Sequence, residues 1–248
     1  MNLKDYLKNE VEKFLQERMQ GFSGYILGLS GGIDSTLVAQ ITKSAVGREA
    51  LLCLVLPLES EEADLEDIRR LIKDIDVKAI WIDLTSTYHH LLSILEKKAL
   101  EGGKPLDDLA RINLKVRLRM VTLYAFAQSY HSLVLGTDNA SEMYTGYFTK
   151  YGDGAVDLLP IVHLTKSEVY QAAKYYDVPD YIIEKVPSAG LFKGQTDEGE
   201  MGISYRDLDA YLLGETVPKA IVDKIEKMHR TSEHKRVPIP RPRPLIRK

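Results

Sequence analysis

The chain has 248 residues, a formal charge of −3, 44% hydrophobic residues and 28% charged ones. These are the proportions of a soluble globular protein, and they exclude global disorder, a collagen-like fibre and a disulfide scaffold. A single cysteine, Cys53, excludes an internal disulfide and a thiolate zinc cluster; inside the apolar run 51–56 it reads as a buried structural thiol.

No apolar stretch approaches the roughly 20 residues that span a bilayer. Residues 1–20 alternate charge and hydrophobe, unlike a signal peptide, so a cytoplasmic protein without membrane partners is expected.

In chain order, Leu3, Tyr6, Leu7, Val11, Phe14 and Leu15 recur at helical spacing and predict an amphipathic helix. Residues 24–30 read as a buried strand and 34–46 as a helix. A second buried strand, 51–56, stops at Pro57. Six carboxylates and no base between Glu59 and Asp67 predict the start of a helix over 61–75, since acids suit the positive end of a helix dipole. A third strand covers 78–82. Helices follow over 87–101 and 106–129, parted by Gly102-Gly103-Lys104-Pro105. A fourth strand covers 132–135. Thr165-Lys166-Ser167-Glu168 is a capping-box pattern that opens a helix ending near Asp177. Helices over 204–213 and 218–230 complete the set. From Arg230 to Lys248 there are seven bases, one acid and four prolines; that end reads as an extended segment, either a solvated tail or an anion-binding arm.

Strands apolar on both faces, alternating with helices, predict an α/β fold with a parallel sheet flanked by helices on both faces. No linker divides the chain, so a single domain over 1–248 is expected, with a basic, proline-rich tail from about 232. Ligands of such sheets bind beyond the carboxyl ends of the strands. The motifs that follow Leu29, Leu56, Ile82 and Leu135 therefore belong to the site.

The first motif is Ser30-Gly31-Gly32-Ile33-Asp34-Ser35-Thr36. Two glycines let a bulky anion approach the backbone, and the N–H groups of the helix start point at it. The pattern is neither a Walker loop nor a Gly-x-Gly-x-x-Gly fingerprint. Asp34 beside a phosphate needs a cation between the two, which implies Mg²⁺; the other reading is a helix cap. Ser-Gly-Gly-x-Asp-Ser after a strand resembles the pyrophosphate-binding (PP) loop of the ATP pyrophosphatase superfamily. Its members have a Rossmann-like, adenine nucleotide alpha-hydrolase-like fold, adenylate a carbonyl or carboxylate oxygen and release pyrophosphate.

The second motif spans 136–157. Glu142 offers a second carboxylate that can converge with Asp34 on one ion. Lys150, Asp153 and Asp157 lie on a glycine-punctuated stretch read as too polar to bury. This block resembles the NAD synthetases. So do Pro187-Ser188-Ala189-Gly190-Leu191, Gly194-Gln195-Thr196-Asp197-Glu198, Gly202-Ile203-Ser204-Tyr205 and Ser232-Glu233-His234-Lys235-Arg236.

The resemblance implies conversion of deamido-NAD to NAD. Gly28, Leu29, Ser30, Gly31, Gly32, Ile33, Asp34 and Ser35 would bind the ATP phosphates, with Thr137, Lys166 and Ser188 also contacting ATP. Asp34 and Glu142 would hold Mg²⁺. Arg117, Lys150, Asp157, His234 and Lys235 would bind deamido-NAD. Two of these have support of their own. Lys166 is a cation in the first turn of a helix, a conflict with the dipole that a bound phosphate would remove; the other reading is a surface lysine. Asn113 and Arg117 stand at i, i+4 and share one helix face.

The implied chemistry is attack of the nicotinic carboxylate on the α-phosphorus of ATP, with Asp34 and Lys166 as catalytic groups. Ammonia then attacks the acyl-adenylate, and Asp153 is a candidate for orienting it or accepting its proton. Relatives that use glutamine carry an added amidohydrolase domain. No residues remain for one here, so free ammonia is the expected donor unless a separate glutaminase subunit delivers it. The resemblance also implies a homodimer.

A PP-loop tRNA-modifying enzyme is disfavoured by the single cysteine, so no nucleic-acid partner is expected. A non-catalytic adenine-nucleotide-binding module is disfavoured by the two metal-type carboxylates, and a GMP synthetase-like enzyme by the 136–157 block. Stretches around 84–88 and 188–203 are expected to act as lids over the acyl-adenylate.

Overall fold

The computed structural model describes residues 1–187 and 196–244. The chain opens on one continuous helical stretch: α1 (Leu3–Tyr6), a π-helical segment (Leu7–Glu12) and α2 (Lys13–Arg18). There follow β1 (Gly24–Gly28), α3 (Ile33–Val46), β2 (Leu51–Val55), α4 (Glu62–Asp74) and β3 (Lys78–Trp81). Next come α5 (Thr85–Glu101), α6 (Asp108–Ser129), β4 (Ser132–Leu135) and α7 (Ala140–Thr145). The remaining helices are α8 (Lys166–Tyr175), α9 (Asp180–Ile183), α10 (Asp197–Met201), α11 (Tyr205–Leu212) and α12 (Lys219–Ser232).

The four strands pair in parallel in the order β3-β2-β1-β4. Successive residues of a strand face opposite sides. Tyr25 and Leu27 accordingly join a core with α3, α4, α8 and the N-terminal helix. Ile26, Leu54 and Val134 join a second core against α5 and α6. The sheet is thus covered on both faces, as its apolar strands predict. β3 departs from that pattern: it is an edge strand, with Lys78, Ala79 and Ile80 partly buried and Trp81 exposed.

β2 and β3 lie on one side of β1 and β4 on the other. The strand order reverses between β1 and β4, and such a switch point opens a crevice beyond the strand ends. A third, small core of Ile203, Leu208 and Ile225 joins α11 and α12, with Tyr144 of α7 packed against it.

The stretch that carries Lys150, Asp153 and Asp157 is a loop with Asp153 and Asp157 exposed, as expected. The block before it contains α7, and Asp138, Asn139, Ser141, Thr145 and Thr149 are all buried. Polar groups are buried at little cost when they find partners. Most do here: Asn139 caps α7, Ser141 reaches Asp209, Thr145 bonds the α7 backbone and Thr149 reaches Asn113. Residues 84–88 are no lid, because α5 begins at Thr85 and Leu84 and Tyr88 are buried. Of the second stretch, 188–195 lies outside the described residues, and α10 occupies 197–201.

Candidate active site

The loop after β1 turns directly into α3. Gly32 is the N-cap of α3 and has no side chain to cap it. The hydroxyls of Ser30 and Ser35 lie 3.0 Å apart, and Thr36 Oγ1 donates to Gly32 O at 2.8 Å, so the turn is held from within. Gly31 has φ +78°, and a Cβ there would come 2.8 Å from Ile68 Cγ1. Glycine is therefore required on two grounds. Leu29 and Ile33 point into the core and can offer only their backbones to a ligand.

In the first turn of α3, Asp34 meets the residues that follow β4. Asn139 Nδ2 donates to Asp34 Oδ1 at 3.0 Å, while Asn139 Oδ1 accepts from Ser141 and Glu142 N–H at 3.0 and 3.1 Å. Glu142 Oε2 accepts from Asn139 N–H at 3.1 Å, which completes a capping box. The other oxygen of Glu142 faces Lys166 and Tyr205.

Lys166 stands between the two acids. Its Nζ is 2.6 Å from Asp34 Oδ2 and 3.7 Å from Glu142 Oε1, and the residue is only 2% exposed. Burial opposes the lysine charge, but Asp34 and Glu142 override it and hold its pKa above the ordinary value. Burial and the charge of Asp34 push Glu142 up to about 8. Burial, then Asp153, Glu142 and Asp34, raise Asp138 well above the carboxylate range. Negative charge is thus crowded here, and one lysine offsets only part of it.

Residues 2–239 match the family model for NAD synthase. The NH(3)-dependent NAD(+) synthetase of Alkaliphilus oremlandii is 43% identical over 242 residues, covering 95% of this chain and 96% of the relative. The chain belongs to the NAD synthase family. Among solved structures, NMN synthetase from Francisella tularensis matches with TM-score 0.89 and 37% identity over 98% of this chain and 99% of its own. The NH3-dependent NAD synthetase from Campylobacter jejuni matches with TM-score 0.74 and 30% identity over 99% and 100%.

In this NAD synthase fold the remaining predicted residues divide into two sets. Arg117, Lys150, His234 and Lys235 are brought together. Arg117 Nε and Nη2 donate to Lys150 O at 3.4 and 3.2 Å, and Lys150 Nζ donates to His234 O at 2.5 Å. Lys235 Nζ donates to Gly146 O and Phe148 O at 2.7 and 2.6 Å. Asn113 reaches the same segment through Thr149 Oγ1 at 2.7 Å, so the shared helix face of Asn113 and Arg117 is real. Asp153 Oδ1 accepts from Thr149 N–H at 2.7 Å and is exposed.

Asp157 is engaged elsewhere. It accepts from Val134 N–H at 2.8 Å and Tyr124 OH at 3.2 Å. Thr137 is half-buried between β4 and Asp138. Ser188 lies outside the described residues.

Sequence reasoning missed Asn139, Asp138 and the group formed by Asp197 and Tyr205. Tyr205 OH donates to Asp197 Oδ2 at 2.9 Å and lies 3.4 Å from Glu142 Oε1, and Lys166 Nζ sits 5.0 Å from the centre of the Tyr205 ring. Asn139 had a readable signal: Asn-x-x-Glu is itself a capping box. Tyr205 and Asp197 stand in two of the stretches that resemble the NAD synthetases, but no local pattern places them beside Glu142, 55 or more residues away.

Proposed function

We propose that the chain is an ammonia-dependent NAD synthetase. It joins ATP, deamido-NAD and ammonia to give NAD, AMP and pyrophosphate. The observation that carries this reading is the meeting of Asp34, Glu142 and Lys166 at the switch point, directly beside the glycine loop that heads α3.

An oxygen of the nicotinic carboxylate attacks the α-phosphorus, and the bond from that phosphorus to the β-phosphate bridging oxygen breaks. Backbone N–H groups of 30–35 receive the departing pyrophosphate at the helix start. Lys166, already charged and desolvated, stabilises the negative charge that grows on it. Ammonia then attacks the carbonyl carbon of the acyl-adenylate, the carbon–oxygen bond to AMP breaks, and the nitrogen loses a proton. Asp153, exposed beside buried Asp138, is the proposed acceptor or orienting group. Arg117, Lys150, His234 and Lys235 form the proposed deamido-NAD side. Positioning and electrostatics supply the rate, and no covalent enzyme intermediate is required.

The Asp34–Glu142 pair fits Mg²⁺. Among the described residues no group of three or more ligating side chains gathers, but Mg²⁺ in phosphate sites takes one or two carboxylates and completes its shell with phosphates and water. The crowded charge and a buried oxygen of Asp138 without a partner, Oδ2, favour a cation here. When bound, Mg²⁺ would neutralise charge on the phosphates of ATP.

A cytoplasmic place is consistent with the described residues, in which no helix is long and apolar enough to cross a membrane. A homodimer is supported by α5 and α6, whose outer faces expose Ile94, Leu100, Leu109 and Val121.

The likeness to NMN synthetase favours a second reading: the same amidation on the mononucleotide. One assay separates the two. Nicotinic acid mononucleotide and deamido-NAD are each supplied with ATP, Mg²⁺ and either ammonium or glutamine. The primary reading expects NAD and AMP in equal amounts, with deamido-NAD preferred and ammonium required. A preference for the mononucleotide would establish the second reading. No amide from either substrate would refute both.

A further inference from the structure

Asp209, on α11, is 4% exposed and belongs to none of the sets above. Both of its oxygens are fully engaged. Oδ1 accepts from Ser141 Oγ at 2.8 Å and Lys166 N–H at 3.1 Å. Oδ2 accepts from Ser167 N–H at 2.7 Å and Ser167 Oγ at 2.6 Å. Four donors match the lone-pair capacity of a carboxylate.

These donors have a shared meaning. Lys166 and Ser167 are the first two residues of α8, whose leading N–H groups have no partner within the helix. Thr165 Oγ1 satisfies Glu168 N–H, and Glu168 in turn accepts from Thr165 N–H at 2.8 Å. Asp209 satisfies the two that the capping box leaves. The dipole conflict of a lysine at a helix start is therefore met by a protein carboxylate and needs no phosphate. Ser141 is the neighbour of Glu142 on α7. One carboxylate thus holds the backbone that carries Lys166 and the helix that carries Glu142.

We propose that Asp209 is a positioning residue for the reaction: by binding the first turn of α8 and Ser141 of α7 together, it sets Lys166 Nζ against Asp34 and Glu142. It touches no substrate in this account. The role rests on the amidation reading, and its test includes a measurement that does not.

Asp209→Asn keeps the side-chain volume but turns an NH2 group against donors on one side of the clasp. Turnover of deamido-NAD is measured below the melting temperature and corrected for folded fraction. Mg²⁺-dependent ATP binding is measured alongside by calorimetry. The expected result is a kcat at least about tenfold lower, a KM for deamido-NAD within about twofold of the parent, and ATP affinity in Mg²⁺ weakened at least about threefold. A purely structural role would lower the melting temperature and leave kcat per folded molecule and ATP affinity unchanged; that result would overturn the proposal.

Should Asp209→Asn fail to fold, Ser141→Ala decides. It cuts only the α7 link, and the proposal requires weaker ATP binding in Mg²⁺ with the KM for deamido-NAD unmoved; unchanged ATP binding refutes it. If the unsubstituted chain forms no amide, the amidation reading fails, and ATP affinity alone decides for or against the role of Asp209.

Discussion

Lys166 shows how burial turns a flexible cation into a fixed one. At the surface it would trade partners with water; at 2% exposure its charge is held by Asp34 and Glu142. Breaking a buried pair by removing one partner leaves the other uncompensated. Lys166→Met is therefore expected to lower kcat at least about a hundredfold, the loss typical of one transition-state donor, and steady-state NAD formation checks it. The residue was legible in the sequence as a misplaced cation at a helix start. Its partners were legible as separate motifs, but the 2.6 Å contact across 132 positions was not. Cys53 was read correctly as a buried thiol. Burial pushes it up to about 12 from an ordinary 9.0. The folded state thus favours the neutral thiol, so this contribution to stability is complete below pH 9 and is lost as pH rises through about 12. At pH 8 a disulfide reagent should modify the native protein slowly and the denatured protein at once; rapid native reaction would contradict this burial.

At the scale of elements, α7 and α12 form the least expected feature. Ser232, the last residue of α12, donates to Thr145 O at 3.0 Å, and the Tyr144 and His229 rings stack with centres 4.1 Å apart. Lys235 then bonds the carbonyls of Gly146 and Phe148. The start of the basic C-terminal segment is thus neither a free tail nor an open arm: it clasps the block that carries Glu142. Composition could not show this, because prolines and arginines after 236 dominate its character. Gly146 is the hinge of the clasp, with φ +70° and room for a Cβ blocked by Ser232 Cβ at 2.2 Å. Gly146→Ala should cost at least about 2 kcal/mol, or roughly 4–8 °C in Tm, as read by thermal melting. Strands and long helices were legible because their periodicity is strong. α7, α9 and α10 were not, since runs of four to six residues carry little periodic signal.

At the scale of the whole molecule, α5 and α6 cover one sheet face but leave a second apolar face outward. Val121 is 58% exposed and Leu109 66%. Exposed apolar side chains on these two helices are what supports the proposed dimer. Sedimentation should give a particle of twice the chain mass of 28.0 kDa, and Val121→Glu should shift it towards the monomer; a monomer at all concentrations would refute the dimer. The parallel sheet was legible from strand composition. The reversal between β1 and β4 was not, because strand order depends on contacts that no local pattern encodes. That reversal is what lets Asp34 and Glu142 share one crevice, and the central claim is that a nicotinic carboxylate is adenylated there. The most direct test supplies deamido-NAD labelled with ¹⁸O in its carboxylate, together with ATP, Mg²⁺ and ammonium, and weighs the AMP formed. Adenylation followed by attack of ammonia on the carbonyl carbon predicts one labelled oxygen in the phosphate of AMP. AMP without label, while NAD accumulates, would contradict it.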